Sequence, residues 1–479
     1  MQTRNEPGNA MNTFLDRAPN RLSVCMIVKN ESALLGRCLR SVAGCADEIV
    51  VVDTGSTDNT VSVARGEGAT VVQSDWRGDF SYSRNISVRR ASGAWILWLD
   101  ADDVVPPASI PKINELKLAE PARVFGFIVK NERPGNTGSE FMQARMFPNR
   151  KDIFFERRIH EQVMPSALRA GLRLFETDIV IEHHGYADPQ TVRAKAGRNV
   201  GLLLAEWDNA RPDPVMALEI ADSYSMLGDF PKASHWYGIV LEIPGHRQVQ
   251  PEIASQACLG LGNISNGDGK YEEAARWLNE SLVLCPNRSD ALFSLAVAQD
   301  LAGNLEASAA TLRTIVSSAA GKTRIVGVDV RESRIKAYLR LERVLFDLNL
   351  GAEALAMAKD AVRALPKRPE ILDMAGRVFL KSNLLMDALH AFEQSLAENT
   401  DANLEAYIGL SRIYSLASRK ETAVQTMAGI RPLFGARPMY WAFWEILAGP
   451  AGRAQVPAEI DRKEIDKEAS TLRKLYGIS

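Results

Sequence analysis

The chain has no CxxC pair; its five cysteines, Cys25, Cys38, Cys45, Cys258 and Cys285, are scattered through 479 residues. That spacing argues against a zinc knuckle or a disulfide framework and fits packing residues in a reducing compartment. An excess of charge of one sign is missing too. Lys+Arg number 57 against Asp+Glu 59, a formal net charge of -2, so nothing predicts nucleic acid or an anionic membrane surface as a partner. No apolar run reaches the roughly 20 residues a membrane span needs. Residues 1–20 are polar and carry Pro7, Gly8 and Pro19, unlike a secretory signal. These absences predict a cytoplasmic protein with no membrane span, its residues 1–21 disordered, and its length leaves room for two to four domains.

What is present centres on residues 94–103, AWILWLDADD, an apolar run that ends in Asp100, Asp102 and Asp103. The run reads as a buried strand delivering acids to its carboxyl end. Buried carboxylates cost several kcal/mol unless paired or bound to a cation, so this mouth suggests a hard divalent metal. Asp100 and Asp102 point to one side of an extended chain. The alternative is a polar loop in which Asp102 or Asp103 caps the next helix. Upstream, residues 22–28 form a short apolar strand, and a helix with Leu34, Leu35, Leu39 and Val42 inside follows it. Residues 48–53, EIVVVD, make a second strand ending in Asp53, and residues 70–72 a third. This alternation predicts a parallel sheet covered on both faces, with ligands beyond the carboxyl ends of its strands.

Three stretches, SVCMIVKNE at 23–31, EIVVVDTGSTD at 48–58 and LDADD at 99–103, together resemble the family 2 glycosyltransferases of GT-A fold, over roughly residues 22–205. A dinucleotide-binding domain is disfavoured because no GxGxxG turn follows the first strand. The resemblance implies that Asn30, Glu31, Asp53, Arg84 and Asp100 bind the nucleotide sugar, Asp53 through the base and Asp100 through the ribose. It implies Asp102, or Asp103 in its place, as ligand of a Mg²⁺ or Mn²⁺ ion that neutralises the departing diphosphate. Thr54 stands where many relatives have a second acid. Read without the resemblance, Asp53 is a turn-starting acid over Gly55 and Arg84 an exposed helical arginine.

Strands at 124–131 and 141–147 flank a Gly/Pro/Asn turn and lead to Arg157, Arg158, Ile159, His160 and Glu161. In a subset of the family an Ile/Val-His-Glu element lies on the acceptor side. This implies Glu161 as the base of an inverting displacement, with His160 as its orienting partner or as second candidate. The plain alternative is a Glu paired with Arg157 or Arg158. IEHHGY at 181–186 resembles the His-x-Gly-Tyr ending of the same subset, which makes His183 a candidate ligand of metal or phosphate. His183 and His184 point to opposite sides of an extended chain, so at most one enters the site.

Beyond residue 205 the period changes. Ala233, Ala274, Ser308, Ala354, Ala388 and Ala423 recur at intervals of 34 or 35 residues with two longer gaps, near 246–251 and 321–332. That is the tetratricopeptide (TPR) period, and the turns before these residues resemble that family's inter-helix turn. The expected architecture is therefore an α/β GT-A domain at 22–205, an all-α TPR solenoid of about six repeats at 206–435, and a capping helix and charged tail at 436–479. A solenoid of this kind suits a protein or peptide partner; a dimerisation scaffold, giving a homodimer, is the alternative. The functional expectation is an inverting transferase using a nucleoside-diphosphate sugar, UDP first, with a polypeptide acceptor. The alternatives are a glycan or lipid-linked acceptor in envelope polysaccharide assembly, and a non-catalytic interaction scaffold.

Overall fold

The computed structural model describes residues 18–131, 140–184, 189–317, 330–398, 403–476 and 478. The expected leader at 1–17, the turn at 132–139, Gly185, Tyr186 and the gap at 321–329 lie outside the described residues. In chain order the sheet domain runs β1 (Ala18–Val28), α1 (Leu35–Ser41), β2 (Glu48–Asp53), α2 (Thr60–Gly66), β3 (Thr70–Gln73), α3 (Phe80–Arg90) and β4 (Gly93–Trp98). It continues with β5 (Asp103–Val104), α4 (Ile110–Leu116), β6 (Arg123–Asn131), β7 (Glu140–Pro148), α5 (Met164–Arg169) and β8 (Arg173–His183). The eight strands form one sheet in the order β3-β2-β1-β4-β7-β6-β8-β5. The first four run parallel. Beyond them β7 opposes both β4 and β6, β8 runs parallel to β6, and β5 opposes β8.

The continuous apolar runs of β1 and β4 follow from burial on both faces. Leu22, Val24, Met26, Trp95 and Leu97 point into one core, which α1 and α4 close with Leu35, Leu39 and Ile113. Cys25, Ile96 and Trp98 point into the other, closed by Val88 of α3 and by Ile153, Phe155 and Ala167. β1 starts at Ala18, opposite Gly93 of β4. β1 thus takes in residues 18–21, at the end of the stretch expected to be disordered.

The sheet belongs to a compact unit that continues through Asp268 and takes in Arg276–Arg288. The expected boundary near 205 falls inside this unit. This unit includes α6 (Pro189–Glu206), α7 (Pro214–Leu227), α8 (Phe230–Glu242), α9 (His246–Val249) and α10 (Pro251–Gly267). The physical reason is a shared apolar cluster: Ile159 is buried with Leu203 of α6 and with Met216 and Ile220 of α7.

The second unit holds the helix pairs Ser289–Leu301 with Leu305–Ser317, Val330–Asp347 with Gly351–Ala364, Pro369–Lys381 with Leu385–Glu398, and Leu404–Leu416 with Lys420–Phe434. Pro438–Ala448 and Arg462–Tyr476 follow. Each second helix of these pairs buries a small residue completely, Ser308, Ala354, Ala388 and Ala423, as α8 does with Ala233. Small size is needed where helices approach. Phe392 lies so close to Gly376 and Gly409 that a Cβ on either would strike its ring.

Candidate active site

A cavity of about 490 Å³ opens at the carboxyl ends of β1 and β4. Its chemistry starts in the turn that follows β4. The Asp103 amide donates to the Asp100 carbonyl (3.1 Å) and the Asp100 amide to Asp103 Oδ2 (2.8 Å), so the acids share a tight turn. Asp103 is fully buried and both of its oxygens are engaged. Oδ2 also accepts from Arg145 Nη1 at 2.9 Å, and Oδ1 lies 2.9 Å from His183 Nδ1. Strand register brings this about, since Asp103 of β5 faces His183 at the end of β8. Asp102, which lines the cavity, stands 3.4 Å from the same Nδ1. His184 is tied back through its amide to the Asp102 carbonyl (3.0 Å).

Asp100, Asp102, Asp103 and His183 each present a ligand atom within 4.8 Å of the others. Their electrostatics suit a cation. Burial first, then the charges of Asp100 and Asp103, raises the Asp102 carboxyl against the opposing pull of His183. Burial works against the His183 imidazolium, but the hydrogen bond to Asp103 and the charges of Asp102 and Asp103 outweigh it and raise its pKa. Three crowded oxygen donors and one imidazole match Mg²⁺ or Mn²⁺ in chemistry.

Across the cavity, α3 begins at Asp79, whose carboxylate caps the Tyr82 amide (2.7 Å). Its buried face is mostly serine, Ser81, Ser83 and Ser87, with Val88 and one cation, Arg84. Arg84 is 5% exposed, its guanidinium 4.3 Å from the Trp98 ring. It reaches two acids at once, Asp100 through Nη2 (2.7 Å) and Glu161 through Nε (2.5 Å). The third nitrogen, Nη1, is buried with no hydrogen-bond partner among the described residues. Burial alone would raise the Asp100 carboxyl, yet Arg84 and Arg145 bring it down to about 2. The side chain still keeps 34% of its surface open.

Glu161 ends a loop with two non-glycine residues in left-handed backbone, Arg157 (φ 74°) and His160 (φ 50°). Such conformations cost about 1–3 kcal/mol each and persist only where surrounding contacts impose them. Here α3 imposes part of the shape: Asn85 pairs with both backbone groups of Phe155 (2.8 and 2.9 Å), and the Phe80 amide donates to the Arg158 carbonyl (2.8 Å). His160 is exposed and lines the cavity; partial desolvation and the charge of Arg157 hold its imidazole below the ordinary value. No hydrogen bond joins His160 to Glu161 among the described residues, and the group that orients Glu161 is Arg84. The pairing considered for Glu161 with Arg157 or Arg158 is therefore corrected to one with Arg84.

The remaining expected residues fall as follows. Glu31 lines the cavity, and burial, then Asp102 and Asp100, raises its carboxyl while Lys195 opposes the rise. Asn30 (φ 57°) instead ties two loops together, its Oδ1 accepting from the Thr57 amide (2.8 Å). Asp53 is 3% exposed and accepts from the amides of Gly55 (3.3 Å) and Ser56 (3.2 Å). It shapes its own turn, where Gly55 takes φ 98°, and Thr54 beside it lines the cavity. Sequence reasoning missed Arg145, Trp76, Lys195 and Arg198, which also line the cavity. The available signal was the spacing of Lys195, Arg198 and Asn199, which puts three polar groups on one face of α6.

Residues 23–179 match the family model described as Glycosyl transferase family 2. Among curated relatives, a TPR repeat-containing protein of Synechococcus elongatus is 32% identical over 248 residues, 50% of this chain and 60% of that protein. The SPbeta prophage-derived glycosyltransferase SunS of Bacillus subtilis is 31% identical over 186 residues, 37% of this chain and 43% of that protein. The chain thus spans about half the length of the curated relatives it matches. Among solved structures, S. aureus TarS 1-349 in complex with UDP-GlcNAc gives a TM-score of 0.30 at 16% identity, over 59% of this chain and 92% of that one. MamA 41-end from Desulfovibrio magneticus RS-1 gives 0.31 at 15% identity, over 38% and 96%. Scores this low leave the functional reading to the residues of the site.

Proposed function

Residues 23–179 being a family 2 glycosyltransferase domain, we propose that the protein transfers a sugar, with inversion, from a UDP-sugar to an acceptor hydroxyl. The observation that carries this reading is Arg84, one buried guanidinium bridging Asp100 on the donor side and Glu161 on the acceptor side of a single cavity. Asp100 and Glu31 hold the ribose end, while Asn30 and Asp53 shape the loops beneath the nucleotide. Asp102 and His183 would hold Mg²⁺ or Mn²⁺, because Asp103 is fully buried with Oδ2 committed to Arg145 and to the Asp100 amide. When bound, that ion supplies Lewis-acid neutralisation of the leaving diphosphate. Arg145 fixes Asp103 and with it the turn that aims Asp102. Lys195 and Arg198 add positive charge to the cavity wall, and Arg84 Nη1 still has a hydrogen bond to give.

On the acceptor side Glu161 takes the proton of the attacking hydroxyl, held toward the cavity by Arg84. His160, neutral at the rim, is the second group in reach of the acceptor. The acceptor we propose is a polypeptide, since arrays of helix pairs commonly hold peptides along the stack, and one relative is named for such repeats. No described helix is long and apolar enough to cross a membrane. All five cysteines are free thiols, as suits a reducing cytoplasm.

The test is calorimetric titration of UDP with and without Mn²⁺, beside UDP release from UDP-sugars. Glu161→Gln should cut release by about 10² to 10⁴ with UDP affinity unchanged, because a base acts only in the transition state. UDP binding indifferent to Mn²⁺, or a Gln variant at wild-type turnover, would sink the reading.

A further inference from the structure

We infer that α6 and α7 are part of the catalytic unit, and that Arg157 is the positioning residue through which they hold the His160–Glu161 loop. The inference rests on the proposed role of Glu161, but its structural content stands apart from that role. The loop from Arg157 to Glu161 bends twice through left-handed backbone at side-chain-bearing residues, so it needs outside restraint. Its two ends are closed on each other, the Glu156 and Gln162 amides and carbonyls exchanging bonds of 3.0 Å. Besides the ties to α3, its interior is held from beyond residue 200. The Arg158 amide donates to the Glu206 carboxylate of α6 (3.1 Å). The Arg157 guanidinium reaches Asp213 (3.3 Å), which also caps α7 through the Val215 amide (2.9 Å), and Glu219 one turn further in (3.5 Å). Between these polar ties Ile159 is 4% exposed, packed against Leu203, Met216 and Ile220.

Three consecutive loop residues are thus each gripped by a different group on α6 or α7, by charge at Arg157, by backbone at Arg158 and by apolar burial at Ile159. Nothing about a mere connection between domains requires three kinds of contact at one loop. On α7 the spacing of Met216, Glu219 and Ile220 puts all three on one helix face, which is the face this loop meets. A shift of about 1 Å in Glu161 would pull it off Arg84 and away from the acceptor, and a misplacement of that size can cost about 10²-fold in rate.

The experiment uses the full chain. Arg157→Ala should make the amides of residues 157–162 exchange with deuterium at least about tenfold faster while those of β4 stay unchanged. UDP affinity in Mn²⁺ should hold within about twofold, and UDP release from UDP-glucose should drop by about 10-fold to 10²-fold in kcat. Arg157→Lys should recover part of the rate. Should Arg157→Ala fail to fold, Glu219→Ala attacks the same tie from α7 and should give the same local exchange signature. Unchanged exchange at 157–162 in a folded variant overturns the inference, whatever the rate does. If the wild type releases no UDP from UDP-glucose, UDP-N-acetylglucosamine or UDP-galactose, the enzymatic reading fails, and the exchange measurement still decides whether α6 and α7 hold the loop.

Discussion

Arg84 and Glu161 are 77 residues apart in the chain and joined at 2.5 Å through Nε, with the guanidinium only 6% exposed. Because the same side chain also grips Asp100 through Nη2, its removal strands two carboxylates. Breaking a buried pair from one side costs about 3–5 kcal/mol, and partial exposure of Asp100 puts Arg84→Ala toward the low end. Arg84→Lys should lose nearly as much activity, because a point-charge ammonium cannot serve two acids from fixed directions. Urea unfolding and UDP-release assays on both variants check this.

Adjacent acids should give opposite phenotypes. Asp102→Asn is expected to abolish Mn²⁺-dependent UDP binding and leave thermal stability near wild type. Asp103→Asn leaves Arg145, 2% exposed, without its charged partner, and should destabilise by about 3–5 kcal/mol. Calorimetric titration and thermal unfolding distinguish the two; a stable Asp103→Asn that fails to bind metal would exchange their roles.

The second unit should show its own pH dependence. Asp373 is raised to about 7, by burial first and then by Glu405, with Ser395, Arg377 and Asn403 opposing. An acid whose folded pKa exceeds its unfolded value keeps its proton longer when folded, so stability falls as pH rises from about 4 to 7 and then levels. Asp373→Asn lacks that titration. Its thermal midpoint should gain on the wild type between pH 5 and 7, and a gap constant over that range would refute the assignment.

Gly409→Ala should cost about 1–3 kcal/mol by overpacking against Phe392. Gly429→Ala, at a helical position with open space around its Cα, should stabilise slightly. Denaturant midpoints of the pair give the contrast.

The parts of this molecule that could be read in its sequence are those where local pattern and burial coincide. AWILWL is apolar without a break because alternate residues feed two cores, and the result is an unmistakable central strand. Arg84 was named through the family resemblance, but its burial and its hold on Glu161 could not be read locally, because α3 buries serines in place of an apolar stripe and so reads as exposed. Arg145 was hidden because its partner lies 42 residues upstream and nothing local marks it. The choice between Asp102 and Asp103 depended on strand register with β8, a long-range property. Periodicity placed the start of the helix pairs near 205, but Ile159, a single apolar residue among charges, binds α6 and α7 to the sheet domain.

The two-residue strand β5 closes the sheet margin by setting Asp103 opposite His183, and Asp102 lies next to it on the cavity side. A cation held as proposed by Asp102 and His183 would therefore bind only while that margin is closed, which would make occupancy and closure one equilibrium. A ligand confined to the closed form adds RT ln(1 + [L]/Kd), about 2.7 kcal/mol at a hundredfold excess over Kd. Divalent ion would then act as a fastener for the end of β8, and in ion-poor buffer this margin should be the first part of the sheet to fray.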